Sequence, residues 1–416
     1  MAAPASVVSR RNGARLLLVL LTLCLGACGT ISRDIDTAYR HADAVAALPV
    51  GVQIPALQAP QDLALAERVP AQPPSESHAI LALSGGGANG AYGAGVIVGW
   101  SQSGDRPQFN VVTGVSTGAL AAPFAFLGQD WDDELQQVYT DGRTRGLMGW
   151  RSIAGFVAPS LFSSRMLRQL IDTHITPEML RRVATEHAQG RRLLVVTTNL
   201  DAAQPVIWDM GVVATIGGER GLSLFRSILL ASASLPGIFP PVLIQGVSPE
   251  GVIVREMHVD GGVNLPFLGV PEALPSLSAS TPDRVRRVLY VIVNGQITAH
   301  YRATRGNLTG ILARSFDSWS NASLRSALAE NAAYANSVGI SIFITTIPAS
   351  VDASSLNFER TAMRSLFALG RTRAVTGVVW SRISAPAQLT AEQQTGTLEP
   401  IVELAPGSAM PSRRSK

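Results

Sequence analysis

The residues best suited to chemistry lie in two glycine-rich motifs, Ser84–Gly90 (SGGGANG) and Gly114–Gly118 (GVSTG). Each motif follows an apolar run and precedes a segment with the composition of a helix. The consecutive glycines of the first motif offer unobstructed backbone N–H groups, which can bind a negatively charged oxygen. The second motif places Ser116 on a sharp strand-to-helix turn, as in a nucleophile elbow. Together the two motifs predict an acyl-transfer site, with a serine that attacks a carbonyl group and amides that stabilise the oxyanion.

A glycine-rich loop between a strand and a helix can also bind phosphate or a dinucleotide. The phosphate-binding loop ends in Gly-Lys-Ser or Gly-Lys-Thr, whereas Gly87 is followed by Ala88, Asn89 and Gly90. The dinucleotide fingerprint requires an acidic residue after the next strand, and none stands at the expected place. These departures disfavour nucleotide binding and leave an anion-binding loop or a plain turn.

The hydroxyl proton of Ser116 needs an acceptor, for which Asp260 is the most conspicuous candidate. Asp260 ends an apolar-flanked run and is followed by Gly261 and Gly262. This pattern predicts a carboxylate at the carboxyl end of a strand, the rim at which open α/β sheets bind ligands. A free aspartate, with a pKa of about 3.9, is a weak base at neutral pH. We therefore expect Asp260 to be desolvated, which raises its pKa, and to lie within hydrogen-bond reach of Ser116.

A histidine is the more usual partner of a catalytic serine, and an alternative site uses one. A triad of Ser116, Asp209 and His258 has the serine–acid–histidine order of the α/β-hydrolases. No sequence motif identifies any of the six histidines as catalytic: His41, His78, His174, His187, His258 and His300. His258 is instead expected to support the site or to pack in the core.

The elements that carry these residues alternate between strands and helices. Short apolar runs predict strands over residues 79–83, 109–115, 193–198, 252–259, 288–293 and 340–347. The segments between them have helical patterns over residues 91–102, 117–127, 164–174, 177–187, 222–233 and 358–369. This alternation predicts a three-layer α/β/α fold with a mostly parallel central sheet covered on both faces.

The succession of GGGxxG, GxSxG and DGG resembles the patatin-like phospholipase family, most firmly over residues 78–300. The serine- and proline-rich segment 231–241 and the stretches Thr197–Leu200 and Ile207–Asp209 are also similar to segments of that family. Ser84 departs from the family pattern, because many members carry aspartate before the glycines.

The resemblance implies a patatin-like fold and hydrolysis of fatty-acyl esters of lipids, of the phospholipase A or lysophospholipase type. It implies a catalytic dyad in which Ser116 is the nucleophile and Asp260 the base. It also implies an oxyanion hole built from the amides of Gly85, Gly86 and Gly87. A dyad needs no metal or other cofactor, and the sequence contains neither an HExxH motif nor an EF-hand loop.

Composition narrows the remaining classes of function. The chain has 416 residues, of which 46% are hydrophobic, so it can bury a large core. Its 34 basic residues fall to 31, against 30 acidic, if the segment before Cys28 with Arg10, Arg11 and Arg15 is removed. Such a near-neutral body argues against nucleic acid as a partner. Both cysteines, Cys24 and Cys28, precede the globular part, which excludes disulfides, thiolate zinc sites and cysteine nucleophiles there.

The N-terminus has the pattern of a secretory signal. Three arginines precede the apolar run Leu16–Leu25, which is too short to span a bilayer about 30 Å thick. The sequence Leu25-Gly26-Ala27-Cys28 resembles a bacterial lipoprotein box, which implies cleavage of residues 1–27 and acylation of Cys28. Glycine rather than aspartate after this cysteine favours the outer membrane, facing the periplasm. An ordinary signal peptide with a chance cysteine is the alternative.

The rest of the chain divides by composition. Residues 28–77 are rich in alanine and proline and are predicted to tether the domain to the acylated cysteine. Residues 78–384 are predicted to form the acyl hydrolase domain, and residues 385–416 a flexible tail. The apolar stretch 146–162 is expected to be either part of the core or a lid that contacts lipid. A catalytically silent envelope binding protein with the same fold is the rival function, and the oligomeric state is left open.

Overall fold

The computed structural model of the protein describes residues 53–54, 77–141, 164–247, 253–269, 286–297, 303–304, 306 and 308–383. Several predicted segments lie outside the described residues. They are the signal peptide, the acylation site Cys28, nearly all of the tether, the stretch 146–162 and the tail. Most of the described residues fall within the predicted acyl hydrolase domain, residues 78–384.

One mixed sheet forms the centre of the described part of the chain. Its strands are β1 Gln53–Ile54, β2 Ser77–Leu83, β3 Val111–Val115, β4 Arg192–Asn199, β5 Gln204–Asp209, β6 Val242–Val247, β7 Ile253–Asp260, β8 Arg286–Val293, β9 Ser341–Thr346 and β10 Ser381–Ile383. Their order is β1-β5-β4-β3-β2-β8-β9-β10, with β7 paired to both β4 and β6. The central strands β4, β3, β2, β8 and β9 are parallel to one another, whereas the peripheral pairs are antiparallel.

Helices connect these strands. They are α1 Gly90–Ser103, α2 Thr117–Leu127, α3 Asp132–Thr140, α4 Arg165–His174, α5 Pro177–Ala188, α6 Met210–Ile216, α7 Gly218–Ser232, α8 Leu308–Ser337 and α9 Arg360–Val375. Within the part of the chain that the structure describes, no helix is both long and apolar enough to cross a membrane.

The two faces of the sheet pack against different helices. Alternate residues of β2 separate accordingly: Leu81 and Leu83 join a core with α1, α2, α5, α7 and α9. Ile80 and Ala82 join a second core, which α8 covers with apolar side chains such as Leu324. Burial on both faces explains why the central strands are continuous apolar runs. The predicted three-layer α/β/α fold with a mostly parallel sheet is thus confirmed.

Three parts of this architecture differ from the sequence-based expectation. Strands β5, β6 and β7 form antiparallel pairs beside β4, whereas the sequence analysis predicted only the strand over residues 252–259. The long helix α8 was not predicted, because its buried face is narrow and is shared by alanines and a few leucines such as Leu324 and Leu328. Gln53 and Ile54, which fall in the predicted tether, pair with β5 at the sheet edge.

The strand order also fixes where a ligand can bind. Strand β3, which follows β2 in the chain, lies on one side of β2 in the sheet. Strand β8 lies on the other side of β2. The loops that follow β2 and β8 therefore diverge at the carboxyl rim and open a crevice between them.

Candidate active site

Ser116 lies on a strained turn between the end of β3 and the start of α2. Its backbone has φ 56° and ψ −124°, a conformation that residues with a side chain rarely adopt. The flanking glycines make the turn possible. A Cβ atom on Gly118 would lie 2.4 Å from the carbonyl oxygen of Leu83, and one on Gly114 would lie 2.6 Å from that of Gly118. The side chain of Ser116, 9% exposed, is thereby held at the rim of the sheet and at the N-terminus of α2.

Asp260 reaches Ser116 because β3 and β7 share one edge of β4. Strand β3 pairs with β4 up to Val115, which is opposite Val196. Strand β7 continues along that edge in the opposite direction and ends with Asp260 opposite Thr197. The ends of the two strands therefore meet and bring the Ser116 hydroxyl to the Asp260 carboxyl, where hydrogen bonding by the hydroxyl favours the charged form of the carboxyl.

The Asp260 carboxyl is shielded from water. The residue is 4% exposed, and its Oδ1 accepts a hydrogen bond from the Gly262 N–H at 2.8 Å. Burial raises the pKa of Asp260 to about 7, although the hydrogen bonds to Ser116 and to the Gly262 amide act in the opposite direction by favouring the charged form. A carboxyl with this pKa can accept a proton and return it at neutral pH.

The last residue of α7 and the segment that follows it hold Ser116 and Asp260 in place. The hydroxyl of Ser232 donates to the carbonyl oxygen of Val196 at 2.6 Å and accepts the Ser116 N–H at 3.0 Å. The carbonyl oxygen of Ser234 accepts the Asp260 N–H at 3.0 Å. Two serines of the segment 231–241 thus fix the nucleophile and the acid relative to each other.

Tyr139 supports the turn from the other side. Its hydroxyl donates to the carbonyl oxygen of Thr117 at 2.7 Å. The Thr117 hydroxyl lies 3.0 Å from the Tyr139 hydroxyl and is the donor of that pair, because the tyrosine proton is already used. Burial raises the pKa of Tyr139, which therefore stays protonated and keeps this bond.

The glycine loop after β2 lies against the same serine. A Cβ atom on Gly85 would lie 3.3 Å from the Ser116 Cβ. Gly86 and Gly87 adopt φ values of 152° and 56°, which favour glycine. The Gly85 N–H donates to the carbonyl oxygen of Pro266 at 3.1 Å, whereas the N–H groups of Gly86 and Gly87 form no hydrogen bond with the residues that the structure describes. Of the three amides predicted for an oxyanion hole, these two remain available.

The DGG motif at residues 260–262 also needs its glycines. A Cβ atom on Gly261 would lie 2.4 Å from the Val196 carbonyl oxygen, so this turn packs directly on β4. Gly262 follows with the amide that binds Asp260.

These residues line one cavity of about 450 Å³, a size typical of small-molecule sites. Ser116, Asp260 and the loop Gly85–Gly87 lie in its wall. Its lining includes apolar side chains such as Leu120, Val138, Leu167, Leu170, Ile238 and Phe239. It also includes polar and charged side chains such as Gln296, Arg314, Asp317, Ser320, Asn321 and Asp352. The cavity can therefore hold a molecule that has both apolar and polar groups.

The alternative triad is not assembled. Asp209 lies at the opposite end of β4, where it is paired with Leu194, and its carboxylate accepts the N–H groups of Gly211 and Val212 at the start of α6. The Nδ1 of His258 lies 2.9 Å from the Thr197 hydroxyl. Neither Asp209 nor His258 lines the cavity. The triad interpretation was wrong because Asp209 is a helix cap, and His258 packs in the core.

Sequence reasoning missed several residues of this site. Asn294 follows β8 at the same rim and is 3% exposed, yet it belongs to no motif. Ser232 and Ser234 stood in a quoted segment without a role. A polar residue directly after an apolar strand is the signal that identified Asp260, and the same signal occurs at Asn294.

The chain is similar to a known protein family and to several solved structures. Residues 81–270 match the family model described as patatin-like phospholipase. VipD from Legionella pneumophila is similar at 15% identity, over 74% of this chain and 68% of its own, with a TM-score of 0.34. ExoU of Pseudomonas aeruginosa, solved with SpcU, is similar at 13% identity over 76% of this chain and 55% of its own, with a TM-score of 0.27. No curated protein matches the chain.

The matched range begins in β2 and ends beyond the DGG turn, so it includes every predicted site residue of the domain. It confirms the family resemblance found in the motifs. The chain therefore matches the patatin-like phospholipase family over residues 81–270, and this match supports the hydrolysis of lipid esters in general.

Proposed function

We propose that the protein is a serine acyl hydrolase that cleaves fatty-acyl esters of lipids through a Ser116–Asp260 dyad. The observation that carries this proposal is that Ser116 and the buried Asp260 carboxyl meet in the wall of one cavity, at the ends of β3 and β7. Burial raises the pKa of that carboxyl to about 7. A partner with that pKa is ionised in a large fraction of molecules at neutral pH and can take the serine proton.

In the acylation step, the Ser116 Oγ attacks the ester carbonyl carbon while its proton passes to Asp260. The negative charge that develops on the carbonyl oxygen is stabilised by the N–H groups of Gly86 and Gly87, and by the N-terminus of α2. When the intermediate collapses, the ester C–O bond breaks. The departing alcohol takes the proton back from Asp260, and the acyl group remains on the serine.

In the deacylation step, water replaces the alcohol. Asp260 takes a proton from the water as its oxygen attacks the acyl-serine carbonyl. The same amides stabilise the second oxyanion. Breakage of the ester bond to the Ser116 oxygen releases the fatty acid, and the proton on Asp260 returns to the serine.

The cavity supports a lipid as the ester. The apolar side chains that α2, α3, α4 and the segment 231–241 contribute suit a fatty-acyl chain. Polar side chains from α8 and the loop after β9, such as Arg314 and Asn321, suit polar groups in the alcohol half of a phospholipid or lysophospholipid. In this proposal the ester carbonyl lies beside Ser116.

We also propose that the enzyme works at a bacterial envelope, anchored to the outer membrane through acylated Cys28. The support is the lipoprotein box in the sequence, and an anchored enzyme would stand next to its lipid substrate. Cells that express the full chain should incorporate labelled palmitate into the protein and retain it in the membrane fraction. The Cys28→Ser variant should do neither, and equal labelling of both proteins would contradict the anchor.

The catalytic proposal is tested with a fluorophosphonate probe and a panel of lipid esters. The wild-type protein should be labelled and should release fatty acid, whereas the Ser116→Ala variant should do neither. The Ser103→Ala variant, which removes a hydroxyl at the far end of α1, is the matched control and should behave as wild type. A folded wild-type protein that neither reacts nor hydrolyses any ester would favour the silent binding protein instead.

A further inference from the structure

We propose that Asn294 and Ser84 form a hydrogen-bond relay that orients and polarises the peptide group carrying the Gly86 N–H. Both are positioning residues, since they act through the glycine loop and not on the substrate. This inference rests on the proposed function, in which the Gly86 amide stabilises the oxyanion.

The relay begins at the end of β8. The backbone N–H of Asn294 donates to the Ser84 Oγ at 2.8 Å. The Ser84 hydroxyl then donates to the carbonyl oxygen of Gly85 at 2.8 Å. That carbonyl belongs to the peptide group whose N–H is that of Gly86. An N–H, a hydroxyl and a peptide group are thus connected head to tail. Gly86, which carries the last donor of the series, lines the cavity, and its N–H has no hydrogen-bond partner among the described residues.

Such a series strengthens its own last member. Each hydrogen bond in a chain polarises the next, and the effect is larger where water is excluded. Ser84 and Asn294 are 2% and 3% exposed. The Gly86 N–H is therefore a stronger donor toward a developing oxyanion than an isolated peptide would be. Its direction is also fixed before substrate binds, which is the requirement for electrostatic stabilisation of a transition state.

The side chain of Asn294 fixes the rest of the loop. Its Nδ2 donates to the carbonyl oxygen of Ser84 at 2.8 Å, and its Oδ1 accepts the N–H of Gly93 in α1 at 3.1 Å. The peptide between Ser84 and Gly85 is held at both ends, because its N–H donates to Pro266. One carboxamide thus connects β2, α1 and β8.

The Asn294 backbone also sets the path of the loop. A Cβ atom on Gly86 would lie 2.0 Å from the Asn294 carbonyl oxygen and 2.7 Å from its Cβ. The loop can pass this close only as glycine, and the contact determines which way the Gly86 peptide turns. Asn294 therefore acts on this peptide through a backbone donor, a carboxamide and direct packing.

Two substitutions separate these effects. Ser84→Ala removes the hydroxyl from the middle of the relay and leaves the carboxamide bonds intact. Asn294→Asp keeps the acceptor for Gly93 but replaces the Nδ2 donor with an oxygen that repels the Ser84 carbonyl. It also adds negative charge close to the place where the oxyanion forms. Thr345→Val is the matched control, because it removes a buried hydroxyl that hydrogen-bonds to Tyr92 and, among the described residues, does not line the cavity.

The experiment measures kcat and KM on a fatty-acyl ester, together with inhibition by a trifluoromethyl ketone that forms an oxyanion with the serine. Complete loss of an oxyanion donor typically lowers the rate about 10² to 10³-fold. Because Ser84→Ala weakens the donor without removing it, we expect kcat to fall about 10-fold with KM nearly unchanged. We expect Asn294→Asp to lower kcat about 10²-fold or more. The ketone should lose affinity in parallel with kcat, while the control keeps wild-type values.

A purely structural role would give another result. The midpoint of the pH–rate profile reports Asp260, and it should not move in Ser84→Ala, whereas general loosening of the site would shift it. A folded Ser84→Ala variant with wild-type kcat and ketone affinity overturns the relay. Loss confined to KM overturns it as well. If the wild-type protein has no hydrolytic activity at all, the proposed function has failed, and that outcome is distinct from failure of the relay.

Discussion

Replacing Asp260 with asparagine should abolish turnover and yet stabilise the folded protein above neutral pH. The carboxyl is buried, and its pKa rises from 3.8 to about 7 on folding, mainly through desolvation. The folded protein therefore binds this proton more tightly than the unfolded chain. The contribution of Asp260 to the free energy of unfolding is fully present below pH 3.8, falls as the pH rises, and is lost once the pH passes about 7.

The size of this effect follows from the pKa difference. A shift of one unit corresponds to about 1.4 kcal/mol, so the ionised carboxyl lowers the free energy of unfolding by about 4 kcal/mol at pH 8. At pH 5 the same group lowers the free energy of unfolding by only about 1.6 kcal/mol. Asparagine keeps an oxygen for the Gly262 N–H and does not ionise. The stability of Asp260→Asn relative to wild type should therefore increase by about 3 kcal/mol between pH 5 and pH 8.

Urea unfolding of both proteins at the two pH values measures this difference. Any cost of the substitution that does not depend on pH cancels between the two conditions. The Ser116→Ala variant adds a second test: without the hydrogen bond that favours the charged form, the pKa of Asp260 should rise further. Parallel stability profiles for wild type and Asp260→Asn would refute the reasoning that Asp260 is a desolvated base.

Three further outcomes follow from the site. The kcat/KM of the wild-type enzyme should rise with pH through a single ionisation with a midpoint near 7, because Asp260 must be deprotonated to act. A flat profile from pH 5 to 8 would contradict this role. Gly86→Ala should lower kcat at least about 10²-fold, because the glycine loop must move away from Asn294 to make room for the methyl group. Unchanged hydrolysis by the folded variant would exclude the loop from the oxyanion hole. Ser232→Ala should destabilise the protein by about 1 to 3 kcal/mol in thermal unfolding and slow its labelling by a fluorophosphonate, because the Ser116 N–H loses its acceptor. Labelling at the wild-type rate would contradict the role of Ser232 in holding Ser116.

The sequence predicted the parts of the site that depend on local pattern. Ser116 was found because a strand, two glycines and a helix follow one another within a short segment, and Asp260 because a carboxylate ends a strand before two glycines. The central strands were found because burial on both faces makes them apolar throughout.

The rest depends on contacts between distant segments. That β3 and β7 share one edge of β4 is a matter of strand register, which no local pattern near Asp260 specifies. Asn294 carries no motif, because its partners Ser84 and Gly93 lie on other elements. Asp209 did have a local explanation, since an aspartate before a short helix is a typical N-cap, and this signal argued against a catalytic role.

Because the ends of β3 and β7 meet along β4, the site is complete only when both strands pair in the correct register. Side chains alternate across a strand, so a slip of β7 by one residue would turn Asp260 to the other face of the sheet and bring Val259 toward the serine. A chain that has collapsed with β6 and β7 undocked would hold a serine with no base beside it. Activity therefore requires that β7 pairs with β4 in the correct register, and a chain without this pairing would be inactive.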